Sequence, residues 1–131
     1  MPIVNASTFA DPKDFAAYKK AIAQGKTEQQ ALAVGDNCVG CWGDSTASVD
    51  VPMCALPPED WTAKWGAGSN ARGKKVAVTY KGKTVVGELR DTMPRKASIK
   101  NGAGIDLNPG FVKAFGLVPG FLLPGFKWEW A

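Results

Sequence analysis

Two carboxylates at the margins of apolar, strand-like runs constrain this chain most. One lies in Arg90-Asp91-Thr92-Met93-Pro94, the other in Gly104-Ile105-Asp106-Leu107-Asn108-Pro109-Gly110. A carboxylate there borders buried surface, yet it must be solvated or hydrogen-bonded. The 131 residues include no histidine, so general acid/base chemistry near neutral pH would fall to carboxylates, and Asp91 and Asp106 are the best placed.

The surrounding pattern is β-rich. Residues 74–80 and 84–90 alternate in polarity and are joined by Lys81-Gly82-Lys83, a hairpin signal. Residues 39–47 and 51–56 read as two further strands, and Ile105 belongs to a short strand ending at Asp106. Asn108 is placed to cap a helix with Pro109 at its first position and Gly116 at its end. Residues 126–130 alternate strictly, placing Phe126, Trp128 and Trp130 on one face. Fifteen glycines and nine prolines suit many short strands and turns better than a helical bundle. With no βαβ rhythm, the pattern predicts a small closed barrel.

Before residue 37 the period is helical. Asp11 with Pro12 starts one helix, bearing Phe15, Tyr18 and Ile22 on one face, and Thr27-Glu28-Gln29-Gln30 is a capping box for a second. Residues 1–36 therefore read as a helical extension and 37–131 as the barrel domain. Pro57-Pro58-Glu59-Asp60-Trp61 starts another short helix, whose Trp61 and Trp65 share a face that reads as core more readily than as a sugar-stacking platform.

Sixteen Lys and Arg against twelve Asp and Glu give a net charge of +4, but the basic residues are scattered and not interleaved with aromatics. Nucleic acid is thus not an expected partner. No apolar run is long enough to cross a membrane, and Met1-Pro2-Ile3-Val4 is too quickly polar for a signal peptide. Cys38, Cys41 and Cys54 offer a single CxxC and no histidine, which does not make a zinc site; no metal or cofactor is expected. One disulfide, from Cys54 to either Cys38 or Cys41, or a reduced trio remain the readings.

From Ala55 onward the chain resembles the six-stranded double-psi β-barrel group of expansins, RlpA, MltA and family-45 glycosidases. Residues 85–94 resemble the group's strand with its Asp-x-x-Pro segment, residues 104–109 its Asp-Leu-Ser turn before a helix, and residues 126–130 its closing strand. Residues 41–48 would be the first barrel strand. The resemblance implies a mainly β fold with short N-terminal helices and one helix before the last strand. It also implies action on a cell-wall polysaccharide, peptidoglycan first or β-glucan, by a secreted or periplasmic monomer. Asp106 would be the general acid/base and Asp91 its ionised partner in the same groove, lined by Trp42, Asp44, Thr46 and Tyr80. Asp44 does not reproduce the group's local pattern for an inverting base, so a lytic transglycosylase, which needs one aspartate, fits better than a cellulase. The wall setting favours the disulfide. The alternative is a non-catalytic wall-binding module of expansin-like or cerato-platanin-like type. A third class is a barrel that inhibits a protease or acts as a toxin, since fold does not fix function.

Overall fold

The hairpin forms where the alternation places it. In the computed structural model, which describes residues 3–131, β3 (Lys75–Tyr80) and β4 (Lys83–Thr92) pair antiparallel up to Tyr80 and Lys83. Lys81 and Gly82 both adopt positive φ, 49° and 80°, as a two-residue turn matched to strand twist requires. Val76 and Val78 are fully buried. β4 runs further than its alternation suggests, because it continues as the parallel partner of β2 (Met53–Leu56), with Leu56 opposite Thr92. Asp91 therefore lies inside a strand, not beyond its end.

Six strands close into a barrel in the order β1-β5-β2-β4-β3-β6, where β1 is Ile3–Thr8, β5 is Ala103–Leu107 and β6 is Leu122–Trp130. The pairs β1·β5 and β2·β4 are parallel and the other four antiparallel. The chain is mainly β, with six strands of mixed direction and a few short helices. β1 corrects the division at residue 36, since it is wedged between β5 and β6 and the barrel cannot close without it. Only α1 (Pro12–Ala23) and α2 (Glu28–Leu32) remain as the expected helical segment. Thr27 and Gln30 complete the capping box, whereas Asp11 makes no capping hydrogen bond, and Ala21 rather than Ile22 faces inward.

The first strand expected over residues 39–47 is absent. The segment is a loop with one isolated bridge, Val39 to Ser45. Left-handed backbone at Cys38 (φ 57°) and Gly43 (φ 88°) turns the chain too sharply for a ladder. Residues 39–45 thus form an exposed ridge on the barrel's outside.

The core gathers Phe111, Phe126, Leu56, Leu89, Ile105 and Leu107, all fully buried. Each such side chain contributes roughly 1.5–3 kcal/mol relative to exposure. Phe111 comes from α4 (Pro109–Ala114) and reaches the barrel because Gly87 of β4 has no Cβ to collide with its ring. Asn108 heads α4, is wholly buried, and accepts from the N–H groups of Phe111 (3.1 Å) and Met53 (2.8 Å). Its Nδ2 donates to the carbonyls of Thr46 and Val51, both at 3.0 Å, so one side chain joins α4, β2 and the loop before β2. Trp61 of α3 (Pro58–Trp65) is buried and Trp65 packs edge-on to Trp130 at 5.7 Å, as core residues.

No disulfide is present: Cys38, Cys41 and Cys54 are free thiols. Cys54 points into the barrel core while Cys41 is exposed on the ridge, and Cys38 is buried with its thiol donating to the Asp36 carbonyl. Burial pushes the Cys38 thiol up to about 12 and that of Cys54 higher still, so neither ionises readily.

Candidate functional site

The register brings the two expected carboxylates to opposite sides of one residue. Ala55 of β2 pairs with Asp106 of β5 on one edge and with Asp91 of β4 on the other. Asp106 accepts a hydrogen bond from the Ser7 hydroxyl, delivered by the parallel register of β1 against β5. Burial pushes the Asp106 carboxyl up to about 6; the Ser7 bond opposes this, and the charges of Asp91 and Asp11 add to it. The group can therefore hold or release a proton near neutrality. It borders an open depression of about 370 Å³ whose walls include Ser7, Thr8, Pro94, Ile99 and Asn101, with no aromatic side chain and no second carboxylate.

Asp91 lies outside that depression. Its Oδ1 accepts from the backbone N–H of Cys41 (2.9 Å) and of Thr92 (2.8 Å), fastening the ridge to β4. Burial raises its pKa, the Thr92 and Cys41 N–H bonds oppose this, and the two carboxyls do not share the expected groove. The Cys41 thiol is also shifted upward, by desolvation and by the Asp91 charge beside it, which makes it a weak nucleophile.

The other expected groove residues scatter. Asp44 is clamped by Arg72, whose Nε and Nη2 reach its two oxygens at 2.9 and 2.7 Å, and by Arg90 at 3.4 Å. Those guanidiniums, Arg72 first, hold its carboxyl below the usual range, so it is an anchor and a poor base. Trp42 covers the core, its ring edge-on to Trp61 at 5.3 Å and its Nε1 donating to the Gly68 carbonyl. Thr46 is buried, its carbonyl accepting from Asn108 Nδ2. Tyr80 stacks on Phe126 at 4.1 Å, opposite Lys83 at the start of β4, while Asp91 lies near that strand's other end.

Ser7, Arg72 and Asp36 escaped the sequence reading. Asp36 accepts from the backbone of both Ala10 (3.1 Å) and Cys38 (2.7 Å). Only Ser7 had a signal, the short run Ile3-Val4-Asn5-Ala6-Ser7-Thr8 before a helix start, which is a strand in front of a cap. Among the described residues, no group of three or more His, Cys, Asp or Glu side chains is arranged to hold a metal ion, and no helix is long and apolar enough to cross a membrane.

The fold is thus a closed six-stranded β-barrel of mixed strand direction, carrying an isolated protonatable carboxyl and a tightly fastened outer ridge. Among solved structures it matches Streptomyces papain inhibitor (SPI), with a TM-score of 0.55 and 20% identity over 98% of this chain and 91% of that one. No family model and no curated protein matches the sequence. The finding corrects the resemblance to expansins, RlpA, MltA and family-45 glycosidases, because the shared fold leads to a protein named as a protease inhibitor. The readings as a glycan-cleaving enzyme and as a wall-polysaccharide binder fall with it.

Proposed function

We propose that this protein is a protein-binding inhibitor of papain-like cysteine proteases. The observation that carries the reading is the end-to-end likeness in fold to a papain inhibitor. A rigid barrel presenting a pinned, exposed loop suits that role, since a preorganised surface loses little conformational freedom on binding. The reading asks for no catalysis by Asp106. Extracellular or periplasmic placement belongs to the same reading, and the burial of Cys38 and Cys54 is compatible with it. A double-psi topology belongs to it as well, supported by the two parallel pairs β1·β5 and β2·β4 within one closed barrel.

Titrating the protein into papain and following hydrolysis of a small fluorogenic peptide tests the function. Saturable inhibition at micromolar protein or below is expected. Full protease activity in the presence of excess protein would refute it.

A further inference from the structure

The ridge is fastened more thoroughly than its place outside the barrel demands. Its outward row, Val39, Cys41, Gly43 and Ser45, is exposed, while Gly40 and Thr46 between and beside them are buried. Across the ridge, Thr46 N–H donates to the Cys38 carbonyl (2.9 Å) and Gly40 N–H to the Asp44 carbonyl (2.8 Å), and Gly43 N–H closes the tip on the Gly40 carbonyl (2.9 Å). From behind, three aspartates hold it: Asp36 takes the Cys38 N–H, Asp91 takes the Cys41 N–H, and Asp44 is clamped by Arg72 and Arg90. Gly40 lies so close to β4 that a Cβ would collide with the Arg90 carbonyl oxygen. Cys38 is held at φ 57°, a region costly for a residue with a side chain. Such strain persists where the surroundings over-determine it, and it gathers at functional sites.

The geometry points to this ridge as the inhibitory element: we infer that Val39, Cys41, Gly43 and Ser45 enter the substrate cleft of a papain-like protease as a narrow, uncharged wedge. The inference rests on the inhibitor reading above and names the surface that performs it. Small outward side chains suit a cleft built to receive an extended chain. The one carboxylate of the ridge is already neutralised by two arginines, so the cleft need not desolvate a free charge. The exposed Cys41 thiol is shifted upward by burial and by Asp91, which leaves it a weak nucleophile in that cleft. The competing surface is an apolar groove of about 420 Å³ between Pro12, Val49, Leu117 and Pro119, with nothing to indicate what would cover it.

The test compares papain inhibition constants for the wild type, Val39→Arg, Ser45→Arg and Val118→Arg, with a thermal melt of each. Val118, 78% exposed near the groove, serves as the control for that surface. Ridge variants that melt like the wild type should inhibit at least about tenfold more weakly, with Val118→Arg unchanged within about twofold. Both side chains of the bridge are exposed, so whichever variant melts like the wild type carries the test. Undiminished inhibition by a folded ridge variant, or a loss confined to Val118→Arg, overturns the ridge assignment and leaves the inhibitor reading standing. A wild type that does not inhibit removes both.

Discussion

Asp44 and Asp106 are the same chemical group in opposite situations. Asp44, on the ridge, meets two guanidiniums and stays ionised, so its charge works as a fastener. Asp106, against the barrel, accepts from a serine hydroxyl, feels the charge of Asp91 and is in no recorded ion pair, so burial drives it toward the neutral acid. The barrel tolerates a carboxyl that weakens it at neutral pH, while the ridge invests three aspartates in holding a few exposed residues. The contrast teaches that a perturbed carboxyl marks an electrostatic liability as readily as an active site, and that conformational precision here is concentrated on the ridge.

The largest expected effect comes from breaking the ridge side. Gly40→Ala places a methyl on the Arg90 carbonyl, and backbone cannot yield as a side chain tip can. A loss of about 3 kcal/mol or more in a denaturant melt is expected, with inhibition lost alongside. A melt like that of the wild type would show that the ridge is not seated against β4.

The Asp106 side should respond in the opposite direction. Its folded pKa of about 6 exceeds the ordinary value of 3.8, so the folded state holds the proton more tightly. The associated stability is fully present below about pH 4 and is lost as pH rises through 6, amounting to up to about 3 kcal/mol. Asp106→Asn keeps an acceptor for Ser7 and should melt higher than the wild type at pH 7, converging with it at pH 4. A variant less stable than the wild type at pH 7 would show that the carboxylate is satisfied as an anion.

Asp44→Asn gives the smallest change in stability. A half-exposed ion pair contributes about 1 kcal/mol or less, and less at high salt. Papain inhibition should fall by more than the melt suggests, since the substitution frees the ridge without touching its tip. If stability and inhibition fall in proportion, the ridge has no special role in binding.

Much of the barrel was legible because period-two alternation and turn chemistry are local. The 74–90 hairpin, the Asn108-Pro109 helix start and the closing aromatic strand all form as their residues suggest. β1 was illegible as a barrel strand, since six residues before a strong helix signal carry no mark of their partners a hundred positions away. The first-strand reading of residues 39–47 failed because glycine and left-handed cysteine outweigh alternation. Asp91 and Asp106 flank Ala55 in the sheet, but the pairings that set their chemistry carried no mark in the sequence. Ser7 and the Cys41 N–H arrive through pairings 99 and 50 residues apart in sequence.

By itself, then, the sequence determined the elements that local sterics control: the hairpin, the capping box, the capped α4, and a β-rich chain with two carboxylates next to apolar strands. Tertiary structure decided what those carboxylates are. Closure of the barrel on β1 buried Asp106 against Ser7, and the return of Arg72 and Arg90 to Asp44 turned an expected groove residue into a clamp. Charge interactions depend on distance and burial, and neither exists along the chain until the fold has brought its distant parts together.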